Sequence, residues 1–199
     1  MDASSLEQKQ QLFGQFFRIA YPIQVNVLPL AENTQLPDVD DLSEHMPMAF
    51  RVATEGAELD SKMLSSLRVL GDKAQELTQY LHHQAHKINL LMSLVLQQQD
   101  DPAQRYQCLE FGGSGIIISV QDALPVGTVA EIKVFLTNEA SAVFCYGEVI
   151  ESVAGAQGFV TSLVFTRIRE QDQDLIVRAS LHLQTKQLRK RNQPKSNEQ

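Results

Sequence analysis

The side chains of this sequence best able to do chemistry are a glycine-rich run, a histidine cluster, two cysteines and a few arginines. Gly112-Gly113-Ser114-Gly115 has the backbone freedom that phosphate cradles use. No Lys-Ser or Lys-Thr pair follows it, and no helix pattern does, so a tight turn between two strands is expected. Ser114 is not an elbow-type nucleophile, because that motif needs glycine two residues later and Ile116 stands there. His82 and His86 have the i, i+4 spacing of a helical metal pair, with His83 beside them. No cysteine or carboxylate completes a ligand set nearby, so a solvated helix face is expected. Cys108 and Cys145 sit in strand-like segments with no adjacent His or second Cys, and read as buried thiols. With no acid, base or nucleophile constellation, the expectation is a non-enzyme that holds no metal or cofactor.

The 199 residues carry a formal charge of -7 and are 43% apolar. An acidic chain lacks the basic footprint of a general nucleic-acid binder. No apolar run approaches the ~20 residues of a membrane span. Met1 to Gln11 is polar without a hydrophobic signal region, so a cytoplasmic protein is expected. The one basic run, Lys186, Arg189, Lys190 and Arg191, could meet an acidic partner, a membrane surface or a nucleotide phosphate, or could simply be a solubilising tail.

The element that organises the rest runs from Met63 to Val95. Met63, Leu67, Leu70, Ala74, Leu77, Leu81, Gln84, Ile88, Leu91 and Val95 recur in steps of four and three, with Gln84 the one polar member. Such a seam, held for more than four heptads, favours a supercoiled helix. The flanking columns are Leu64, Gly71, Thr78, Ala85, Met92 and Ser66, Lys73, Tyr80, Lys87, Leu94, mostly small or apolar where a two-stranded coil places charges. The wide apolar face implies three or four helices packing together, four preferred, with Gln84 setting register. The competing arrangement is a long helix laid along its own domain, burying the same stripe within one chain.

Around this helix the chain reads in order. Ser5 to Arg18 suggests a short helix with Leu6, Leu12, Phe13, Phe16 and Phe17 as its apolar side. Tyr21 to Leu28 alternates as a strand between Pro22 and Pro29. A loop covers Ala31 to Asp41, and helix restarts around Asp41 to Pro47, with Pro47 tolerated in a first turn. Gly56 is an expected break, and the long helix ends around Gln97 to Asp101 before Pro102. Strands follow at Tyr106 to Ile118 across the glycine turn, at Val129 to Leu136, at Ala142 to Val153 and at Phe159 to Phe165. Leu124 to Thr128, Asn138 to Ser141 and Gly155 to Gly158 make turns between them. A last helix runs from Glu170 to about Leu188. Short strands at regular spacing indicate an antiparallel barrel or sandwich. The lone early strand finds neighbours only among those after Pro102, so the helical segment is an insertion into a split β domain.

Leu109-Glu110-Phe111-Gly112-Gly113-Ser114-Gly115-Ile116, Leu124-Pro125-Val126-Gly127-Thr128, Gly147-Glu148-Val149-Ile150 and the strand from Gly158 to Phe165 resemble the PilZ domain family over about half the chain. The resemblance implies an α+β fold: an antiparallel PilZ-like β-barrel with a long inserted coiled-coil helix and a C-terminal helix. It divides the chain into 1–30, an N-terminal helix and first barrel strand; 31–101, a helical insertion with heptads at 63–95; 102–188, the barrel and last helix; and 189–199, a disordered basic tail. Many members bind cyclic di-GMP through an Asp/Asn-x-Ser-x-x-Gly turn and an Arg-x-x-x-Arg segment. The corresponding positions here are Glu110, Gly112 and Gly115, which keep only the last glycine, and Arg18, which has no second arginine at that spacing. The chain is therefore similar to the atypical tetrameric PilZ proteins with heptad helices and no binding motifs. That subgroup implies a homo-oligomer, tetramer favoured, and an adaptor with a protein partner from motility, biofilm or exopolysaccharide machinery. The alternative is a cyclic di-GMP receptor using Arg18, Arg105 and the basic tail in a non-standard site.

Overall fold

A computed structural model of the chain describes residues 3–55, 75–156 and 158–192. Helix α1 (Ala3–Gln15) leads into β1 (Arg18–Ala20) and β2 (Gln24–Pro29). An insertion follows with α2 (Leu42–His45) and α4 (Gln75–Gln97); helical residues 48–55 form α3. Then come β3 (Arg105–Gly112), β4 (Gly115–Val120), β5 (Val129–Leu136), a 3-10 turn (Thr137–Glu139), β6 (Ser141–Gly155), β7 (Gly158–Arg167) and α5 (Glu170–Asn192).

The strands are antiparallel in the order β1-β3-β2-β5-β6-β7-β4, and β3 also pairs with β4, closing six of them into a barrel. Inward residues Val25, Val27, Cys108, Ile116, Ile118, Ile132, Val134, Val143, Cys145, Val149 and Leu163 fill it. Ile176, Ala179 and Leu183, at helical spacing on α5, belong to the same cluster. That helix therefore covers the barrel core where it would otherwise meet water. Arg169 fixes its start: the guanidinium donates from Nε and Nη2 to the fully buried Asp172 at 2.8 and 3.0 Å, and from Nη1 to Ser43 Oγ of α2 at 3.0 Å.

The first strand differs from the expected Tyr21 to Leu28. It is split: Arg18–Ala20 pairs with Glu110–Gly112, and Gln24–Asn26 with Arg105–Gln107, all on β3. Between the halves lies Pro22, which has no N–H to give the ladder. The N-terminal helix stops at Gln15, three residues short of the expected Arg18, because Arg18 is already paired in the sheet. At the other end α5 runs on to Asn192 rather than stopping near Leu188. The expected strand and turn positions from Val129 onward agree within a few residues.

Strand β6 is buried without interruption from Ser141 to Ile150. Both of its faces are covered. Inside is the barrel core; outside, Phe135, Ala142, Phe144 and Tyr146 carry a second core made with Leu42, Met46, Phe50, Ala53 and Leu96. Phe50 meets Phe135 edge-on with ring centroids 5.7 Å apart. Further along, Ile150 and Val164 carry Phe13 of α1. The helical insertion is thus seated on the outside of the barrel, as an insertion between β2 and β3. Pro47 opens α3, its carbonyl accepting from Phe50 and Arg51, as expected of a first-turn proline.

Candidate functional site

The glycine run is the two-residue hairpin between β3 and β4, with Gly112 paired to Gly115. None of Gly112, Gly113 and Gly115 has a positive φ. Their smallness serves close approach instead. A Cβ on Gly112 would lie 2.2 Å from the Phe17 carbonyl oxygen, one on Gly113 2.8 Å from the Phe16 ring and 2.7 Å from Val177, and one on Gly115 2.1 Å from the Leu163 carbonyl and 2.7 Å from Phe13. The segment 13–18 is laid over the turn as a strap. Ser114 is buried and donates from Oγ to the Phe13 carbonyl at 2.9 Å, and Gln173 of α5 donates to the Gly113 carbonyl at 2.8 Å. The hairpin backbone faces its own chain.

Arg18 is committed to the same strap. Its guanidinium donates to the Phe13 carbonyl, lies 4.1 Å from the centroid of the Phe13 ring and pairs with Glu110 at 3.7 Å. The sequence-level candidates Arg18, Glu110, Gly112 and Gly115 therefore do come together, around each other. Arg105 does not join them. It sits at the other end of β3, seven residues from Gly112 and so about 23 Å along an extended strand, where it pairs with Asp100.

Two substitutions separate packing from backbone freedom. Gly112→Ala is expected to lower stability by about 1–3 kcal/mol, because its clash is with backbone rather than a flexible side chain. Gly14→Ala, in α1 with nothing within 4 Å of the new Cβ, should instead raise it by up to ~1 kcal/mol. Urea denaturation of the two variants reads both signs.

The second feature is the outer face of α4. Leu77, Leu81, Ile88, Leu91 and Val95 are 37–62% exposed, and Tyr80, Leu90 and Leu94 beside them are 55–59% exposed. Its C-terminal turns touch the barrel through Leu96 and the partly buried Met92. The alternative of a helix burying its stripe on its own domain is not what these residues do. Met63, Leu67, Leu70 and Ala74 of the expected seam lie outside the described residues, as does Gly56. Gln84 is half-buried, and His82, His83 and His86 are exposed.

Just past the end of α4 the chain is also tied to the barrel by a polar knot that sequence reasoning missed. Asn26 of β2, 1% exposed, donates to Asp100 Oδ1 at 2.9 Å and to the Asp101 carbonyl at 3.0 Å, and accepts from the Asp101 amide at 3.0 Å. Partners 74 residues apart leave no local signal. Burial pushes the Asp100 carboxyl up, but bonds from Arg105, Gln24 and Asn26 outweigh it and hold it below its usual value of 3.8. A lowered carboxylate adds stability that is complete above the unfolded value and fades as pH falls through the folded one. The knot should hold unchanged from pH 8 to 5 and weaken below about pH 3.8. Asn26→Ala should cost about 1–3 kcal/mol by stranding the Asp101 amide and carbonyl, and lessen that acid sensitivity only in part, since Arg105 and Gln24 still bind Asp100; melting curves against pH test both.

Burial raises the Cys108 thiol to about 12 and that of Cys145 well above its ordinary value. Neither is a nucleophile at neutral pH. Lys186, Arg189 and Lys190 are exposed on the last turns of α5. No helix among the described residues is long and apolar enough to cross a membrane.

No protein-family profile matches the chain, and no curated protein matches it. Solved structures do. A tetrameric PilZ domain of Xanthomonas campestris, self-assembled via an unusual helical bundle, is 16% identical and matches with a TM-score of 0.55 over 94% of this chain and 99% of that one. The Bacillus subtilis inhibitor of motility MotI/DgrA is 10% identical, TM-score 0.46, over 86% of this chain and 51% of that one. The PilZ domain of Escherichia coli YcgR with c-di-GMP is 11% identical, TM-score 0.42, over 90% and 97%. The first likeness extends over nearly the whole of both chains, and the fold is that of a PilZ-like barrel with added helices, as the resemblance in sequence implied.

Proposed function

We propose that this protein is a non-enzymatic, cytoplasmic adaptor in cyclic di-GMP-related signalling. Its PilZ-like barrel is a head that binds a protein partner, and α4 gathers several heads into a homo-tetramer. The observation that carries this reading is the stripe on α4. Eight large apolar side chains on one helix stand exposed at 37–62%, and five of them follow the heptad period. A contiguous face of that kind marks an interaction surface, and heptad spacing specifies another helix of the same kind as its partner. The helical bundle of the Xanthomonas campestris chain supports the same reading. Four heads on one bundle would raise the local concentration of head toward a shared target. The target's setting, motility, biofilm or exopolysaccharide machinery, is the one the family resemblance implies.

In this reading the head holds no nucleotide. The hairpin backbone that would face a phosphate is packed under Phe13, Phe16 and Phe17, and the Arg18 guanidinium is engaged with Phe13 and Glu110. A doubly charged dinucleotide would also meet the carboxylate of Glu110, without the bidentate arginine forks that hold phosphates. Calorimetric titration of the purified chain with cyclic di-GMP should give no heat beyond dilution. Saturable binding at micromolar concentration would make the protein a receptor with a non-standard site and overturn the adaptor reading.

A further inference from the structure

The side chains that seat α1 on the barrel fall on one face of that helix. Leu6, Lys9 and Phe13 are spaced i, i+3 and i+7, so they line up. Phe13 packs with Ile150 and Val164, and Leu6 and Ile117 lie against the same cluster. Lys9 Nζ donates to Glu148 Oε2 at 2.6 Å. The seat itself is a row across three neighbouring strands: Gly115 of β4 pairs with Val164 of β7, and Val164 with Glu148 of β6. It offers in turn a hollow for the Phe13 ring, an apolar wall and a carboxylate.

This contact is made at a cost. Among the described residues, two buried side-chain polar atoms have no hydrogen-bond partner, Glu148 Oε1 and Arg18 Nε. Both belong to the contact between residues 3–18 and the barrel: Glu148 is the partner of Lys9, and Arg18 ends the strap. A polar atom buried without a partner has lost its bonds to water without replacement. Lifting the segment would return water to both. Nor has α1 much helix stability of its own. It is 13 residues long, with no acidic side chain in its first turn and no basic one in its last, and isolated helices below ~12–15 residues are marginal in water. Once released it would melt and gain chain entropy.

We propose that α1 and the strap are a displaceable cover over the partner-binding surface of the head. The row Gly115, Val164 and Glu148 then receives a partner helix that carries an apolar, a cationic and an aromatic residue at i, i+3 and i+7. That pattern is read from α1, the ligand the seat already holds, and its cation complements Glu148. The tethered α1 competes with the partner, lowering its apparent affinity by the fraction of chains in which the cover is open. This inference rests on the barrel being the partner-binding part of the protein and does not depend on assembly through α4.

The probe is a fluorescein-labelled peptide of residues 3–18, titrated with the whole 199-residue chain and followed by anisotropy. The wild-type chain, with its own α1 in place, should bind it weakly. Lys9→Met loosens the tethered copy while the peptide still brings its lysine, so that chain should bind the peptide about tenfold more tightly. A peptide carrying Lys9→Glu should lose about tenfold of that affinity. Hydrogen exchange of the wild-type chain is the second readout: amides of 7–15 should exchange about 100-fold faster than those of β6 and β7, through an opening that leaves the barrel closed. No saturable binding to the Lys9→Met chain, equal affinity for the two chains, indifference to Lys9→Glu in the peptide, or exchange of α1 only together with the barrel would each overturn the assignment. The adaptor reading is tested by the cyclic di-GMP titration and the oligomer mass, which none of these results would move, so the two can fail separately.

Discussion

Replacing Leu77, Ile88 and Leu91 together by aspartate is expected to reduce the assembly to single chains while the barrel stays folded. The three positions fall on the core columns of the heptad pattern, and in the isolated chain they are 53, 57 and 62% exposed. Burying each against partner helices contributes about 1.5–3 kcal/mol per chain. Aspartate removes that gain and adds a ring of unpaired carboxylates to each layer, which costs several kcal/mol more. None of the three side chains belongs to a core cluster of the monomer. The barrel's own stability should therefore move by no more than about 0.5 kcal/mol, as surface changes do. Sedimentation velocity and thermal melting of the variant read the two effects separately; an unchanged sedimentation coefficient would mean that the stripe serves something else.

The second large effect is expected at Phe50. Its ring is fully buried between α3 and the outside of the barrel, edge-on to Phe135, in a cluster with Leu42, Met46 and Leu96. Phe50→Ala removes a fully buried ring and leaves a cavity in this cluster, and should cost about 3–5 kcal/mol. The neighbouring Val52, 47% exposed on the same helix, should tolerate alanine within about 0.5 kcal/mol. Because the second core joins the insertion to the barrel, hydrogen exchange in Phe50→Ala should quicken across 42–55 before it does in β4 or β7. Uniform quickening would show that barrel and insertion form one cooperative unit.

The strands were legible because one face or both faces are buried. Val25 and Val27 alternate with Asn26, and the long apolar run of β6 records its two covered faces. The turns at Pro125-Val126-Gly127 and Gly155 to Gly158 were legible because Gly127 and Gly158 need positive φ, a local property. The split of the first strand at Pro22 was written in the sequence too, but a three-residue β1 is shorter than any periodicity can register. The phenylalanines at 13, 16 and 17 look like the apolar side of a helix, and only the first remains in α1. The other two belong to the strap.

Tertiary constraints were the part that spacing could not reveal. The glycine run reads as a turn, which it is, yet its composition answers to Phe13, Phe16 and Phe17 about a hundred residues earlier. Asn26 reads as an ordinary outward polar residue of a strand, and it is the buried tie between that strand and the end of α4. Glu148 reads as part of a family-like strand motif, with nothing to mark its carboxylate as half unpaired. The heptad stripe was visible because its period is local: no fold of the monomer had to be known for it to be read.

The most direct test of the account is the mass of the 199-residue chain in solution, measured by light scattering across a range of concentrations. Assembly through α4 predicts a constant value of four times the 22.3 kDa chain mass. A mass of 22.3 kDa at every concentration would contradict it, leaving the exposed face of α4 to a different protein.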